Sequence, residues 1–165
     1  MSLKTTTSPL ALKHWERNNM ASTANTVYRG IKPDMKTISN LKTAGAYLPG
    51  TFCSASVTTL TQATTAPQRV FLLAHRDCYD QSIDTAYASG DTAIAYELVP
   101  GEPYVARFAA ATYTINQELT IGAAGRLTAA ASTNVVVGFY TGGASDALSA
   151  GDLGEFVAAD RYIKP

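Results

Sequence analysis

The sequence predicts a mainly β protein: a compact antiparallel β-sandwich or small β-barrel body behind an extended N-terminal arm with at most one short helix. Three observations lead there. Residues 97–157 carry short runs rich in β-branched and aromatic side chains, at 104–108, 118–121, 135–140 and 153–157. Glycine turns separate them, at Pro100-Gly101, Gly122-Ala123-Ala124-Gly125, Thr141-Gly142-Gly143 and Ala150-Gly151-Asp152. Short runs bounded in this way are strand signals, and their frequent recurrence points to a sandwich or barrel instead of a crossover α/β sheet. The first 47 residues, by contrast, show little continuous periodicity, and they divide the chain into an arm (1–47) and a β-rich body (48–165).

Within the arm, Ser8 as N-cap and Pro9 at the first helical position allow one or two helical turns through Arg17. A helix so short is marginal alone and needs a surface to pack on, with Trp15, the single tryptophan, as its anchor. Residues 18–23 offer no core-forming pattern, yet Val27, Tyr28, Ile31, Ile38, Leu41 and Tyr47 make the segment too apolar for a solvated tail. An arm that becomes ordered on a neighbouring subunit satisfies both observations.

The body opens at Tyr47-Leu48-Pro49-Gly50. Residues 52–60 read as strand, 62–67 as loop, and 69–74 as a strongly apolar central strand that ends at His75-Arg76-Asp77. A helical turn is expected over 82–87, and strand resumes over 92–98. Ala88-Ser89-Gly90-Asp91 and Ser149-Ala150-Gly151-Asp152 share one turn grammar: glycine supplies a positive φ and the aspartate bonds the local backbone. Val105, Phe108, Val135 and Phe139 are assigned to the core.

Composition narrows the function. Charged residues make up 16% of the chain, below the usual share of about 25%, and small neutral Ala, Thr, Ser and Gly replace them. Such a surface suits a protein that lies against another. The net charge is zero but unevenly spread. Residues 1–42 hold seven basic and two acidic side chains (+5), and the remainder holds six and eleven (−5). Two cysteines, Cys53 and Cys78, make no disulfide framework and are expected to be reduced. The polar N-terminus does not read as a signal peptide, and no apolar stretch is long enough for a membrane span.

Reaction chemistry is thin. Nucleophilic catalysis needs a base beside the nucleophile, and only His14 and His75 offer imidazoles. His14 falls in the arm, and His75 is read as a strand end beside an Arg76–Asp77 pair. Asp77, Asp80 and Asp84 are crowded but lack the spacing of a calcium loop, so they read as an acidic surface loop. Gly122-Ala123-Ala124-Gly125 lacks the Lys-Ser/Thr of a phosphate loop. The arm's basic residues are too thinly spread, without interleaved aromatics, for a nucleic-acid surface. No enzyme activity, cofactor, metal, direct nucleic-acid contact or membrane contact is expected.

Several stretches together resemble the head decoration, or cement, proteins of tailed bacteriophages. They are Phe71-Leu72-Leu73-Ala74-His75-Arg76-Asp77, Ile83-Asp84-Thr85-Ala86-Tyr87 and Gly90-Asp91-Thr92-Ala93, then Val99-Pro100-Gly101-Glu102 with Ala106-Arg107. Gly122-Ala123-Ala124-Gly125-Arg126-Leu127, Val135-Val136-Val137-Gly138 and Ala150-Gly151-Asp152-Leu153 continue the likeness, which spans residues 48–160 and omits the arm. The resemblance implies a structural virion protein, made in the host cytoplasm, that sits on the outer capsid surface and bridges neighbouring capsomers. Its implied partners are the major capsid protein and copies of itself, as a trimer in preference to a dimer. On that reading Lys4, Leu12, Lys13, Trp15, Arg17, Tyr28, Arg29, Ile31, Lys32 and Lys36 make capsid or neighbour-subunit contacts. A β-rich tail, spike or fibre-associated module is the alternative.

Overall fold

The computed structural model describes residue 27 and residues 36–67, 69–76 and 80–165. These form thirteen strands and a single 3-10 turn, so the body is mainly β. A six-stranded sheet is built from β1 (Thr37–Ile38), β2 (Lys42–Thr43), β3 (Phe52–Ala55), β4 (Thr59–Gln62), β5 (Phe71–Leu73) and β6 (Ala95–Glu97), in the order β1-β6-β5-β3-β4-β2. A five-stranded sheet follows from β7 (Pro103–Arg107), β9 (Glu118–Ile121), β10 (Leu127–Ala129), β11 (Val135–Tyr140) and β13 (Leu153–Ile163), in the order β10-β9-β11-β13-β7. β8 (Ala111–Thr114) and β12 (Ser145–Leu148) pair as a separate ribbon.

Both large sheets roll. In the five-stranded sheet, Phe108 just beyond β7 bridges Leu127 at the start of β10, and the Ala109 N–H donates to the Leu127 carbonyl at 2.8 Å. In the six-stranded sheet, β2 reaches the run leading into β6: Lys42 bridges Thr92, and the Ala93 N–H donates to the Leu41 carbonyl at 2.9 Å. Rolling brings the ends of each sheet together at these points, and two apolar clusters lie inside the body. Leu41, Cys53, Leu60, Phe71, Leu73, Tyr87, Ala93 and Ala95 form one apolar cluster. The other draws on both sheets, with Phe52 and Leu72 joining Tyr104, Val105, Phe108, Leu119, Val137 and Phe156.

Side-chain alternation explains this division. Along β3, Phe52 goes to the shared core and Cys53 to the other; along β5, Leu72 goes to the shared core and Phe71 and Leu73 to the other. A strand buried on both faces carries an unbroken apolar run, which is why 69–74 reads so strongly in sequence. The Phe52 and Phe156 rings meet across the sheets with centroids 5.9 Å apart. Phe108 packs edge-on against both Tyr113 and Tyr140, at 4.9 and 5.5 Å.

The runs at 118–121 and 135–140 coincide with β9 and β11. Four readings need correction. The 52–60 run is two strands, a hairpin turning at residues 56–58. The pairing is not wholly antiparallel, since β2 runs parallel to β4. Residues 36–47 belong to the body and not to an arm: β1 and β2 complete the six-stranded sheet, Leu41 and Thr43 are buried, and Tyr47 bridges Tyr87. Val135 and Phe139 are only half-buried, while Val136, Val137 and Tyr140 are buried, because the register with β13 shifts between Val136 and Gly138.

The two Gly-Asp turns form as the sequence predicts. The Asp91 N–H donates to the Ala88 carbonyl and the Asp152 N–H to the Ser149 carbonyl, both at 3.1 Å, with Gly90 at φ +89° and Gly151 at φ +96°. Each aspartate then accepts the N–H of the first turn residue, Ala88 at 3.0 Å and Ser149 at 2.7 Å. The loop at Gly122–Gly125 has a different task. Gly125, at φ +61°, donates its N–H to the Ala63 carbonyl at 2.7 Å, and a Cβ there would lie 2.3 Å from the Phe52 carbonyl oxygen. This loop is a latch that seats the five-stranded sheet on β3.

Gly125→Ala is therefore expected to lower unfolding free energy by about 3 kcal/mol, through strain and overpacking together. Gly101→Ala is the control, because Gly101 also has a positive φ but nothing lies within 4 Å of its Cβ position. It should cost only the left-handed backbone penalty, about 1–2 kcal/mol. Urea denaturation of both variants measures the difference, and equal losses would dismiss the latch.

Candidate functional site

The sequence-derived contact residues fall mainly before the body. Lys4, Leu12, Lys13, Trp15, Arg17, Tyr28, Arg29, Ile31 and Lys32 lie outside the described residues, as do Asp77 and Cys78. Lys36 is exposed, and its carbonyl accepts the Glu97 N–H at 2.9 Å, so it borders β6 as the chain enters the sheet. Val27 is fully buried in the shared core, and its carbonyl accepts the Val105 N–H of β7 at 2.7 Å. The leader is thus fastened to its own body at this one described position.

The best-organised polar group in the body is Arg107, at the end of β7. Its side chain is 9% exposed. Nε donates to the Pro49 carbonyl at 2.9 Å, Nη1 to the Gly151 carbonyl at 2.8 Å, and Nη2 to the Ile83 carbonyl at 2.7 Å. Nη2 also meets the Asp84 carboxylate at 3.0 Å, and the backbone N–H of Arg107 donates to the Gly50 carbonyl at 2.8 Å. The planar fork of a guanidinium lets one cation address several acceptors in fixed directions, which an ammonium cannot do. Arg107 ties the turn before β3, the turn before β13 and the loop at 83–84 into one unit. Its engaged donors leave it a structural clamp, not a ligand-binding group.

The acidic loop resolves in the same way. Asp84 serves Arg107, and Asp80 is exposed. Arg76 pairs with Asp91 at 3.1 Å and lies over the Tyr87 ring at 4.7 Å. The Tyr87 hydroxyl donates to the Ala74 carbonyl at 2.8 Å beside half-buried His75. Among the described residues no group of three or more His, Cys, Asp and Glu side chains is placed to hold a metal ion. No described helix is long and apolar enough to cross a membrane.

Cys53 lies fully buried on β3, and burial pushes its thiol up to about 12. Tyr140 donates its hydroxyl to Asp146, and both burial and that carboxylate raise its ionisation above the ordinary tyrosine range. On the outer face, Lys164 meets Glu118 at 2.7 Å and donates to the Ala130 carbonyl at 2.9 Å. The hydrogen bonds from Lys164 and then from Tyr162 hold the Glu118 carboxyl below its usual value. Among the described residues, the large exposed apolar side chains are Val57 at the β3–β4 tip, Ile115, and Tyr162 and Ile163 at the end of β13. Tyr162 lies beside Phe139, centroids 6.5 Å apart.

No protein-family model matches the chain, and no curated protein matches its sequence.

Two outcomes follow from this geometry. Arg107→Met, which strands several buried carbonyls, should destabilise the body by about 3–5 kcal/mol. Asp84→Asn should cost under about 1 kcal/mol, because that carboxylate is 77% exposed. Equal losses in chemical denaturation would make the ion pair, not the carbonyl network, the source of the clamp. At pH 8 the Cys53 thiol is protonated and shielded, so iodoacetamide should label it only on unfolding. Peptide mass mapping with and without urea reads this, and native labelling of Cys53 would contradict its buried placement.

Proposed function

We propose that this chain is a structural virion protein of the capsid decoration class, a non-enzymatic cement that binds the outer surface of a phage head and bridges neighbouring capsomers. The observation that carries the reading is the contrast between leader and body. Residues 1–35 hold five basic and two acidic side chains (+3), and residues 36–165 hold eight and eleven (−3). The body is closed on itself by two rolled sheets, a buried arginine clamp and turns fixed by their own aspartates. Rigidity of that kind suits a spacer under mechanical load, and a cationic leader suits contact with another surface.

A cement protein acts in many copies whose modest individual contacts add through avidity. The residues assigned to capsid or neighbour-subunit contact are Lys4, Leu12, Lys13, Trp15 and Arg17 ahead of Val27, Tyr28, Arg29, Ile31 and Lys32 after it, and Lys36 at the body's edge. The major capsid protein is the partner, and the working assembly is an oligomer of this chain. The alternative, a tail, spike or fibre-associated module, draws on exposed Tyr162 beside half-buried Phe139.

Occupancy on particles tests the proposal. Purified chain is mixed with undecorated heads of the parent particle, and cryo-electron microscopy locates its density. Deleting residues 1–25 keeps Val27 and the body, and is expected to lower occupancy on the shell by about tenfold or more. Density confined to the tail would favour the alternative, and undiminished occupancy of the shortened chain would remove the leader from the contact.

A further inference from the structure

The ribbon of β8 and β12 stands outside both large sheets, and two strands alone are marginally stable in water. Its hydrogen-bond directions can be read from one end. The Thr114 N–H donates to the Gln117 side-chain oxygen at 3.0 Å, and the Thr114 carbonyl accepts the Gln117 N–H at 3.0 Å. Both groups therefore face away from β12. Antiparallel pairs alternate, so the bonded pairs across the ribbon are Tyr113 with Asp146 and Ala111 with Leu148. Thr112 on β8, and Ser145 and Ala147 on β12, turn their N–H and C=O outward. Among the described residues, no backbone group pairs with β12 on that side.

The usual guards of a strand edge are missing as well. The ribbon holds no Lys, Arg or Pro, and its register runs without a bulge. Its exposed side chains, Ala111, Thr112, Thr114, Ser145 and Ala147, are all small and neutral. Its one charge, Asp146, is turned in to accept the Tyr140 hydroxyl and the Gly143 N–H. We propose that the open edge of β12 is a self-association surface, which pairs antiparallel with β12 of a second copy of this chain. A second copy fits because an antiparallel edge is complementary to itself about a two-fold axis, donor facing acceptor. With the axis at Ala147, its N–H and C=O meet those of its counterpart, and Asp146 faces Leu148 of the partner subunit instead of a like charge. The two ribbons then make one four-stranded sheet, and neutral side chains on both sides bring no repulsion. The contact shares with shell binding only the premise of a multi-copy assembly, and its test uses the isolated chain, so the two can fail separately.

Sedimentation velocity over a concentration series should show the full-length chain in reversible equilibrium between monomer and dimer. Ala147→Pro removes the outward N–H without touching the bonds that Asp146 and Leu148 make to β8. It should raise the dimer dissociation constant about tenfold or more. Ala147→Ser keeps that N–H and should leave the constant within about twofold. Ala147→Lys, which guards the edge with charge, takes the place of the proline variant if that variant does not fold. A monomer, with β12 left to the chain's own leader or to a foreign strand, overturns the proposal. So does a trimer, or a dimer that proline and lysine leave intact.

Discussion

The body depends on how a single buried cation is satisfied. Arg107 ends a strand whose preceding residues, Tyr104, Val105 and Ala106, are all fully buried, so its side chain has little access to water. A guanidinium removed from solvent costs several kcal/mol unless its donors find acceptors. Here the acceptors are carbonyls of three separate loops, and only Asp84 among the partners is charged. The consequence is directional. Any shift of the turn at Pro49-Gly50, the turn at Gly151 or the loop at Ile83 strands a buried N–H. The positions of these loops are therefore coupled, and with them the relation of the two sheets.

The sheets solve a second problem, that of edges. An open six-stranded or five-stranded sheet would present unpaired backbone along both sides, a template for uncontrolled association. Each sheet instead rolls until distant residues meet, Phe108 with Leu127 and Lys42 with Thr92. The curvature has a local source in β11, where the register against β13 shifts between Val136 and Gly138. Rolling also explains the two cores: each roll needs an interior, and the strands between them, β3 and β5, must be apolar on both faces.

The legible parts of the sequence were those in which burial left a local pattern. The runs of β9 and β11 coincide with the structure because Leu, Ile, Val and aromatic residues are concentrated there and glycine turns bound them. β8 and β12 left no such trace. Their Ala, Thr and Ser side chains are mostly exposed, and the ribbon is fixed by pairing with a segment about thirty residues away. β1 and β2 are two residues each and exist only through partners such as Tyr96 and Thr59, which no local window contains. The boundary at residue 47 failed for that reason. Arg107 had a detectable signal, a cation at the end of an otherwise apolar strand run, but nothing in the sequence shows which carbonyls it would meet.

That failed boundary also changes the logic of the leader. A segment with scattered apolar residues and no period can be an arm for a neighbour or a set of short strands closing its own sheet, and residues 36–47 are the second. Val27 belongs with the second as well. It is fully buried and bonded to β7, so the body extends its grip to that point, within the stretch of residues assigned to external contact and not beyond it. The fastening is one buried apolar side chain and one backbone hydrogen bond, made to Val105 in the middle of the strand that Arg107 ends, so the clamp and the Val27 contact steady the same short strand.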